Sequence, residues 1–124
     1  MVLIDTSVWI SLYRQRSRDL GQRVWHLAAR NEAGICGQVW VEFLGGFRQT
    51  GRREEYRELL GAYGWLETTR QAYDVAAQWC AGHPGLTAGD TIIAATAWVH
   101  GASLLTLDRD FERLAGEGLR IVPI

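Results

Sequence analysis

The stretch that decides the fold is Val2-Leu3-Ile4-Asp5-Thr6-Ser7, near the start of the chain. Three consecutive apolar residues predict a short strand that is buried on both faces, as in a parallel sheet. The hydroxyl residues that follow predict the start of a helix, because Thr6 or Ser7 can cap free backbone N–H groups. We therefore expect Asp5 at the carboxyl end of a strand, where open α/β sheets bind ligands.

Size and composition predict one globular domain over residues 1–124. Apolar residues make up 48% of the chain and six are Trp, which excludes a disordered protein. No apolar run approaches the roughly 20 residues that a membrane span needs, and the N-terminal sequence is not that of a signal peptide. The two cysteines, Cys36 and Cys80, fit reduced thiols better than a disulfide framework, so we expect a cytoplasmic protein.

The charged residues exclude several kinds of chemistry. The formal net charge is −1, so no overall basic field indicates a nucleic-acid-binding protein. All 13 basic residues are arginine, which excludes Schiff-base chemistry and the phosphate-binding lysine of P-loop proteins. The three histidines, His26, His83 and His100, lack the spacing of metal ligands.

Strand and helix patterns alternate along the chain and predict an α/β fold with a mostly parallel sheet between helices. After the first strand we expect strands at Ile35–Gly37, Ala102–Leu107 and Leu119–Ile124, the last at an edge because of Pro123. Helical periodicity predicts the intervening segments at 6–13, 20–28, 38–48, 52–63, 69–80 and 90–99.

Several glycines are interpreted as breaks or close contacts. Gly34 is expected to end the second helix, and Gly64 to interrupt the helix that places Leu59 inward. Gly45 and Gly46 are predicted inside a helix, where each costs roughly 1 kcal/mol relative to alanine. That cost indicates close approach of another group to this face of the helix.

Four acids that are distant in sequence are expected at the same edge of the sheet. Asp5 and Asp108 each follow a buried strand, and Glu42 lies in the helix after the second strand. Asp90 lies in the first turn of the helix that leads into the strand around Leu104. Because a crossover helix runs against the strands, its N-terminus lies at their carboxyl edge.

Such a cluster needs a compensating charge. Two carboxylates about 4 Å apart repel by roughly 4 kcal/mol at an effective dielectric constant near 20. Either one acid stays protonated or a divalent cation binds, and oxygen ligands favour Mg²⁺ or Mn²⁺, which commonly act on phosphate esters. Each acid also has a purely structural interpretation: Asp90 could form a capping pair with Thr87, Asp108 or Asp110 could cap a helix, and Glu42 could be solvated.

The sequence resembles the PIN-domain family, and within it the VapC-type toxins of bacterial toxin–antitoxin pairs. The resemblance covers essentially the whole chain and agrees in order and spacing. The motifs that carry it are Ile4-Asp5-Thr6-Ser7-Val8-Trp9, Glu42 with Gly45, Leu86-Thr87-Ala88-Gly89-Asp90-Thr91-Ile92-Ile93-Ala94-Ala95, and Leu105-Thr106-Leu107-Asp108-Arg109-Asp110-Phe111. It implies a PIN-like three-layer α/β/α fold.

The resemblance also implies a Mg²⁺-dependent endoribonuclease, with Mn²⁺ as the alternative ion, that leaves a 5′-phosphate and a 3′-hydroxyl. By match, Asp5, Glu42, Asp90 and Asp108 are the catalytic acids; Asp5, Asp90 and Asp108 hold the metal, and Asp110 assists or replaces Asp108. Thr6 and Thr106 are implied to orient carboxylates. The implied partners are an RNA substrate such as tRNA or ribosomal RNA, a VapB-like antitoxin that covers the site, and a second copy in a homodimer.

Two further groups of residues are candidates for contacts with these partners. Arginines near the site could bind RNA phosphates bidentately, or could simply be solvated. The candidates are Arg14, Arg16, Arg18, Arg48 and Arg52. The aromatic residues are expected mainly in the core, although Trp9, Trp40 and Phe43 could line a groove for the antitoxin.

Two other functions compete with this interpretation. Phosphatase and response-regulator domains also place acids at strand ends, but they usually need a lysine, which this chain lacks. A PIN-like module that binds RNA or a partner without cutting is the second alternative. The presence of all four acids argues against it.

Overall fold

The computed structural model describes residues 1–124 as four strands surrounded by six α-helices and a 3₁₀ helix. The strands are β1 Val2–Ile4, β2 Ala33–Ile35, β3 Gly64–Trp65 and β4 Ser103–Leu105. The helices are α1 Thr6–Tyr13, α2 Arg18–Ala29, α3 Gly37–Leu44, α4 Thr50–Leu60, α5 Arg70–Gly82, α6 Ala88–Val99 and the 3₁₀ helix Arg109–Glu117.

The four strands form one parallel sheet in the order β3-β2-β1-β4. Consecutive residues of a strand point to opposite faces, and both Leu3 and Ile4 in β1 are fully buried. The same is true of Leu104 and Leu105 in β4. Both faces of the sheet are therefore covered, which confirms the predicted three-layer α/β/α class.

The parallel arrangement brings the ends of β1 and β4 together. β1 pairs with β4 so that Ile4 lies opposite Leu105, and the backbone N–H of Asp5 donates to the Leu105 carbonyl at 3.0 Å. Asp5 and Thr106 consequently leave the sheet side by side. This edge is where the candidate site forms.

The bounds of the minor strands differ from the prediction. β2 begins at Ala33 rather than Ile35, and Gly37 already opens α3. Gly64 does not interrupt a helix but begins β3, a strand too short for a recognisable apolar pattern. The predicted C-terminal strand is wrong: the segment makes a single bridge between Ile121 and Leu104, and the chain then reaches Pro123, which has no N–H to extend a ladder.

The end of α2 is also set differently. The helix stops at Ala29, and Asn31 turns the chain with a left-handed φ of 55°, so Gly34 is not the terminator. Gly34 lies inside β2, where a Cβ would overlap the side chain of Leu66. Its role is therefore close packing between β2 and the segment after β3.

Two predictions for the middle of the chain were wrong. Gly45 and Gly46 follow α3 instead of lying within it, because the helix ends at Leu44. Leu59 was expected to face inward but is 48% exposed, and Leu60 is the buried residue at the end of α4.

Both cysteines are free thiols, Cys36 buried and Cys80 half-buried. None of the helices is long and apolar enough to cross a lipid bilayer.

Candidate active site

Asp5 is the most buried acid of the site, with 4% of the residue exposed. Its Oδ2 accepts hydrogen bonds from the Ser7 hydroxyl at 2.6 Å, the Thr106 hydroxyl at 2.8 Å and the Ser7 backbone N–H at 3.4 Å. Asp5, rather than Thr6 or Ser7, therefore caps the N-terminus of α1. The Thr6 backbone N–H also interacts with this carboxylate, but no hydrogen bond of normal geometry reaches Oδ1.

Burial raises the pKa of Asp5 above its ordinary value of 3.8, and the hydrogen bonds from Ser7, Thr106 and the Thr6 backbone only partly oppose that shift. The negative charge of this carboxylate is thus costly in the folded chain. A cation beside Oδ1 would remove that cost, so the environment of Asp5 fits a metal ligand.

Glu42 is held by hydrogen bonds on both carboxylate oxygens. The Thr6 hydroxyl in α1 donates to Oε1 at 2.7 Å, and the Gln38 amide, one helical turn earlier in α3, donates to Oε2 at 2.8 Å. The N-terminus of α6 packs against the same carboxylate, since a Cβ added to Gly89 would lie 2.6 Å from Oε2. These contacts fix Glu42 between α1, α3 and α6.

Asp90 forms the capping box that its spacing from Thr87 allowed. Its Oδ2 accepts from the Thr87 backbone N–H at 3.2 Å, and its own N–H donates to the Thr87 hydroxyl at 3.1 Å. The structural role is therefore real, but it occupies one oxygen only. Oδ1 of Asp90 accepts no hydrogen bond.

Asp108 likewise caps the 3₁₀ helix. Its Oδ1 accepts from the Asp110 backbone N–H at 2.9 Å, while its own N–H donates to the Thr106 hydroxyl at 3.0 Å. Oδ2 of Asp108 accepts no hydrogen bond. Thr106 thus connects Asp108 to Asp5. The Asp110 carboxylate instead lies 4.0 Å from Arg113.

The acids share one edge of the sheet without forming a finished metal centre. No three Asp, Glu, His or Cys side chains are arranged as a ready group of metal ligands. Three acids nevertheless each keep one carboxylate oxygen free of hydrogen bonds, namely Asp5, Asp90 and Asp108. Hard oxygen donors of this kind suit Mg²⁺ or Mn²⁺, so the donor set fits the implied ion.

Cys36 lies beside the acids at the end of β2. Burial raises the pKa of its thiol, and the nearby charges of Glu42 and Asp5 act in the same direction. The thiol therefore stays protonated at neutral pH and is not a nucleophile.

Three residues of the site were missed in the sequence. Ser7 was interpreted only as a possible helix cap, yet its hydroxyl bonds Asp5 and also accepts from the Leu107 N–H at 3.0 Å. Gln38 could have been found from its four-residue spacing to Glu42 on a helix. Gly89 gave no signal, because its proximity to Glu42 exists only in the folded chain.

The five candidate arginines fall into two groups. Arg14 lines a cavity of about 220 Å³ together with Glu42, and Arg48 and Arg52 line an adjoining cavity of about 250 Å³. Arg16 and Arg18 are exposed but line neither cavity.

An apolar cavity of about 290 Å³ lies between α1, α2 and α4. It is lined by Trp9 and Phe43, two of the three aromatic residues considered for an antitoxin groove, and the buried Trp9 Nε1 has no hydrogen-bond partner. Trp40 instead packs edge-on against Trp65 on β3, with ring centroids 5.6 Å apart.

Comparisons with known proteins agree with this architecture. The family model described as the PIN domain matches residues 2–117. Ribonuclease VapC10 of Mycobacterium tuberculosis is 32% identical in an alignment of length 114 that covers 87% of this chain and 83% of the relative.

Two solved structures are similar over nearly their full length. DNA-bound VapBC from Salmonella typhimurium has a TM-score of 0.81 at 20% identity, with 98% of this chain and 96% of that chain covered. The sarcin–ricin-loop-cleaving toxin VapC20 of M. tuberculosis has a TM-score of 0.71 at 20% identity and is covered completely, as is this chain. On the family match and the VapC10 relative, the chain belongs to the PIN domain family and resembles its VapC-type members.

Proposed function

We propose that this chain is a metal-dependent endoribonuclease, the toxin of a VapBC-type toxin–antitoxin pair. The observation that carries the proposal is Asp5: a buried carboxylate with one oxygen open, at the same edge as Asp90 and Asp108. The relative VapC10 is named a ribonuclease, and VapC20 is a toxin that cleaves the sarcin–ricin loop. These two relatives support an RNA substrate, with ribosomal RNA as the first candidate and tRNA as the alternative.

Asp5, Asp90 and Asp108 would hold the cation, Mg²⁺ or Mn²⁺. When bound, a divalent cation offsets charge on the scissile phosphate and lowers the pKa of water. In the hydrolysis a water oxygen bonds to phosphorus, the bond from phosphorus to the 3′-oxygen breaks, and that oxygen takes up a proton.

Among the chain's own side chains, a carboxylate would be the proton acceptor. The histidines are bonded elsewhere: His26 to the Gln22 carbonyl, His83 to Glu117 and His100 to the Glu67 carbonyl. Glu42 is the acid whose position is fixed from three helices, and we propose that it accepts or orients the proton of the attacking water.

The test is cleavage of bulk tRNA and ribosomal RNA by the purified chain. We expect discrete cuts with Mg²⁺, none with excess EDTA, and none with Asp5→Asn or Asp90→Asn. Asp74→Asn is the matched control, because Asp74 is an exposed aspartate of α5 without hydrogen bonds. Cuts that persist in EDTA, or equal activity of Asp90→Asn and Asp74→Asn, would contradict the proposal.

A folded chain that binds RNA but cuts neither substrate would favour the second function, a non-catalytic PIN-like binding module. Divalent-cation binding separates the two cases further. In the binding module, Asp5→Asn would lose the cation and keep RNA binding.

We propose that the apolar cavity at Trp9 and Phe43 receives a segment of a VapB-like antitoxin. Its lining is almost wholly hydrophobic and includes Trp25, which is 65% exposed. Large exposed apolar groups of this kind typically mark a protein interface. Trp25→Ser should therefore weaken capture of the co-expressed antitoxin.

The resemblance also implies a homodimer. Sedimentation equilibrium of the chain alone tests that expectation.

A further inference from the structure

Six of the 13 arginines form no ion pair and donate no side-chain hydrogen bond. These unpaired arginines are Arg14, Arg16, Arg18, Arg48, Arg52 and Arg70. No acidic side chain lies within ion-pair distance of these six guanidinium groups. Three of them lie on one continuous surface that ends at the candidate active site.

That surface consists of the two adjoining cavities near Glu42, which share Tyr13, Gly46 and Phe47 in their linings. We call it the arginine groove and define it by Tyr13, Arg14, Gly46, Phe47, Arg48 and Arg52. Glu42 lines the cavity that contains Arg14, and the exposed Gly46 leaves part of the groove wall without side-chain bulk.

The groove is held in shape by contacts beneath it. Arg53 in α4 donates from Nε at 3.3 Å and from Nη2 at 2.8 Å to the carbonyl of Phe47, which ties α4 to the loop after α3. Tyr13 packs edge-on against Phe47 and Tyr56, with centroid distances of 5.1 and 5.4 Å. The ring of Tyr13 is therefore positioned before any ligand arrives, although the residue is 40% exposed.

The opposite side of the acids lacks these properties. The cavity of about 410 Å³ beside Thr106 and Asp108 contains one arginine, Arg109, whose Nε lies 3.8 Å from Glu112. Its positive charge is offset by the acids around it. A polyanion that reaches the site is accordingly expected to approach through the arginine groove.

We propose that the arginine groove binds the single-stranded RNA that leads to the scissile phosphate, with Arg14, Arg48 and Arg52 on backbone phosphates and Tyr13 stacked on a base. This inference rests on the proposed ribonuclease function and names the path of its substrate. Guanidinium groups bind phosphates bidentately, and an exposed aromatic ring accepts any base. A base inside a duplex is not available for such stacking, so the groove selects unpaired RNA.

The test compares two triple variants of equal charge. The groove triple is Arg14→Gln, Arg48→Gln and Arg52→Gln, and the control triple is Arg16→Gln, Arg18→Gln and Arg70→Gln. Each removes three unpaired arginines and so lowers the formal charge by three. Binding of a fluorescein-labelled 12-nucleotide single-stranded RNA is followed by anisotropy over a salt series, in an Asp90→Asn background that keeps the probe intact.

We expect the groove triple to bind at least about tenfold more weakly and to lower the slope of log affinity against log salt by about 2, since each single-strand phosphate contact contributes about 0.7. The control triple should change affinity by less than about threefold. Equal losses of RNA affinity in the two triples, or no loss in either, would overturn the proposal. If neither triple lost affinity, a protein partner would be the expected ligand of the groove.

Tyr13 is tested separately. Tyr13→Leu should weaken binding of the single strand by about tenfold and leave binding of the same RNA in a duplex unchanged, whereas Tyr13→Phe should keep full affinity. Equal affinities of Tyr13→Leu and Tyr13→Phe, with thermal unfolding unchanged, would remove the stacking role. Cleavage of bulk RNA by the wild-type chain separates failure of the groove proposal from failure of the ribonuclease proposal. If the wild type cleaves RNA but the two triples bind the probe equally well, only the groove proposal is refuted. If only the groove triple loses binding but the wild type does not cleave RNA, the ribonuclease proposal is refuted.

Discussion

At the residue scale, a threonine hydroxyl from another part of the chain holds each of two acids: Thr106 holds Asp5, and Thr6 holds Glu42. Thr106 bonds Asp5 at 2.8 Å and accepts from the Asp108 N–H at 3.0 Å. Thr106→Val should therefore lower cleavage by about 10- to 100-fold, the usual cost of losing a group that orients a ligand. The measurement is the cleavage rate at saturating Mg²⁺.

Thr68→Val is the control for loss of a threonine hydroxyl. Thr68 bonds the Thr96 hydroxyl at 2.8 Å, outside the acid network, and should keep the wild-type rate. Thr106→Val loses three hydrogen bonds, to Asp5, to Ser7 and from the Asp108 N–H, whereas Thr68→Val loses one. At about 1 kcal/mol per bond Thr106→Val should be the less stable variant, so the cleavage rates are compared at a temperature well below both Tm values. Equal rates for the two variants would show that Thr106 has no role beyond stability.

Asp5 makes folding stability depend on pH in a defined direction. Because burial raises the pKa of Asp5, the folded chain holds the Asp5 proton more tightly than the unfolded chain does. Binding of this proton therefore stabilises the fold. The stabilisation is complete below pH 3.8 and is lost as the pH rises through the pKa of the folded chain. An Asn side chain carries no charge at any of these pH values. In EDTA, Asp5→Asn should be more stable than the wild type at neutral pH, and the difference should shrink as the pH falls towards 3.8.

Urea unfolding at a series of pH values measures this difference in the free energy of unfolding. Asp74→Asn, which changes an exposed aspartate, should differ little from the wild type at every pH. A gain from Asp5→Asn that does not vary with pH would mean that relief of a buried charge is not its cause.

At the element scale, the position of α6 depends on a glycine that touches the site. A Cβ on Gly89 would lie 2.6 Å from Glu42 Oε2 and 2.9 Å from Gln38 Nε2, both at the ends of flexible side chains. Gly89→Ala should therefore leave the fold intact but displace the Glu42 carboxylate. We expect cleavage to fall by at least about tenfold, as misplacement of a catalytic group does, with little change in Tm.

Gly51→Ala is its matched control. Gly51 is the second residue of α4, as Gly89 is of α6, and no atom lies within 4 Å of an added Cβ. A helical Gly→Ala change without a clash typically stabilises by about 0.4–1 kcal/mol. If Gly89→Ala cleaved RNA as well as Gly51→Ala, the packing of α6 on Glu42 would not matter for the reaction.

Elements were predictable from sequence where one local pattern defined them. The apolar triplet Val2–Ile4 predicted β1, and α1 has the predicted bounds 6–13. β3 was missed because two residues hold no periodicity, and its existence depends on pairing of Gly64 with Gly34 in β2. The end of α2 was predicted wrongly because Gly34 was the more obvious terminator in the sequence. The chain instead turns at Asn31, which has a left-handed φ.

At the scale of the whole molecule, topology brings the ends of β1 and β4, which Asp5 and Asp108 follow, to one edge, because parallel strands end together. The sequence could predict that edge for Asp5 and Asp108, but it could not predict which oxygens stay open. That depends on hydrogen bonds such as those from Thr106 and Asp110, which form only in the folded chain. The structure thereby distinguishes Glu42, with both oxygens bonded, from the three aspartates.

This difference predicts how a divalent cation stabilises the molecule. An ion that binds only the folded chain raises the free energy of unfolding by about 2.7 kcal/mol at 100 times its Kd, and each kcal/mol raises Tm by roughly 4 °C. Mg²⁺ should therefore raise the Tm of the wild type well above its value in KCl of equal ionic strength. Asp5→Asn, Asp90→Asn and Asp108→Asn should each lose most of that rise, because each removes an open oxygen.

Glu42→Gln should abolish cleavage yet keep most of the Mg²⁺-dependent rise in Tm, since neither Glu42 oxygen is open to the ion. Differential scanning calorimetry of the five proteins with and without Mg²⁺ makes the comparison. If Glu42→Gln lost the rise as fully as Asp108→Asn, Glu42 would be a metal ligand, and its bonds to Thr6 and Gln38 would have to rearrange on binding. If KCl alone reproduced the rise, screening of the clustered acids would explain it and no specific cation site would be needed.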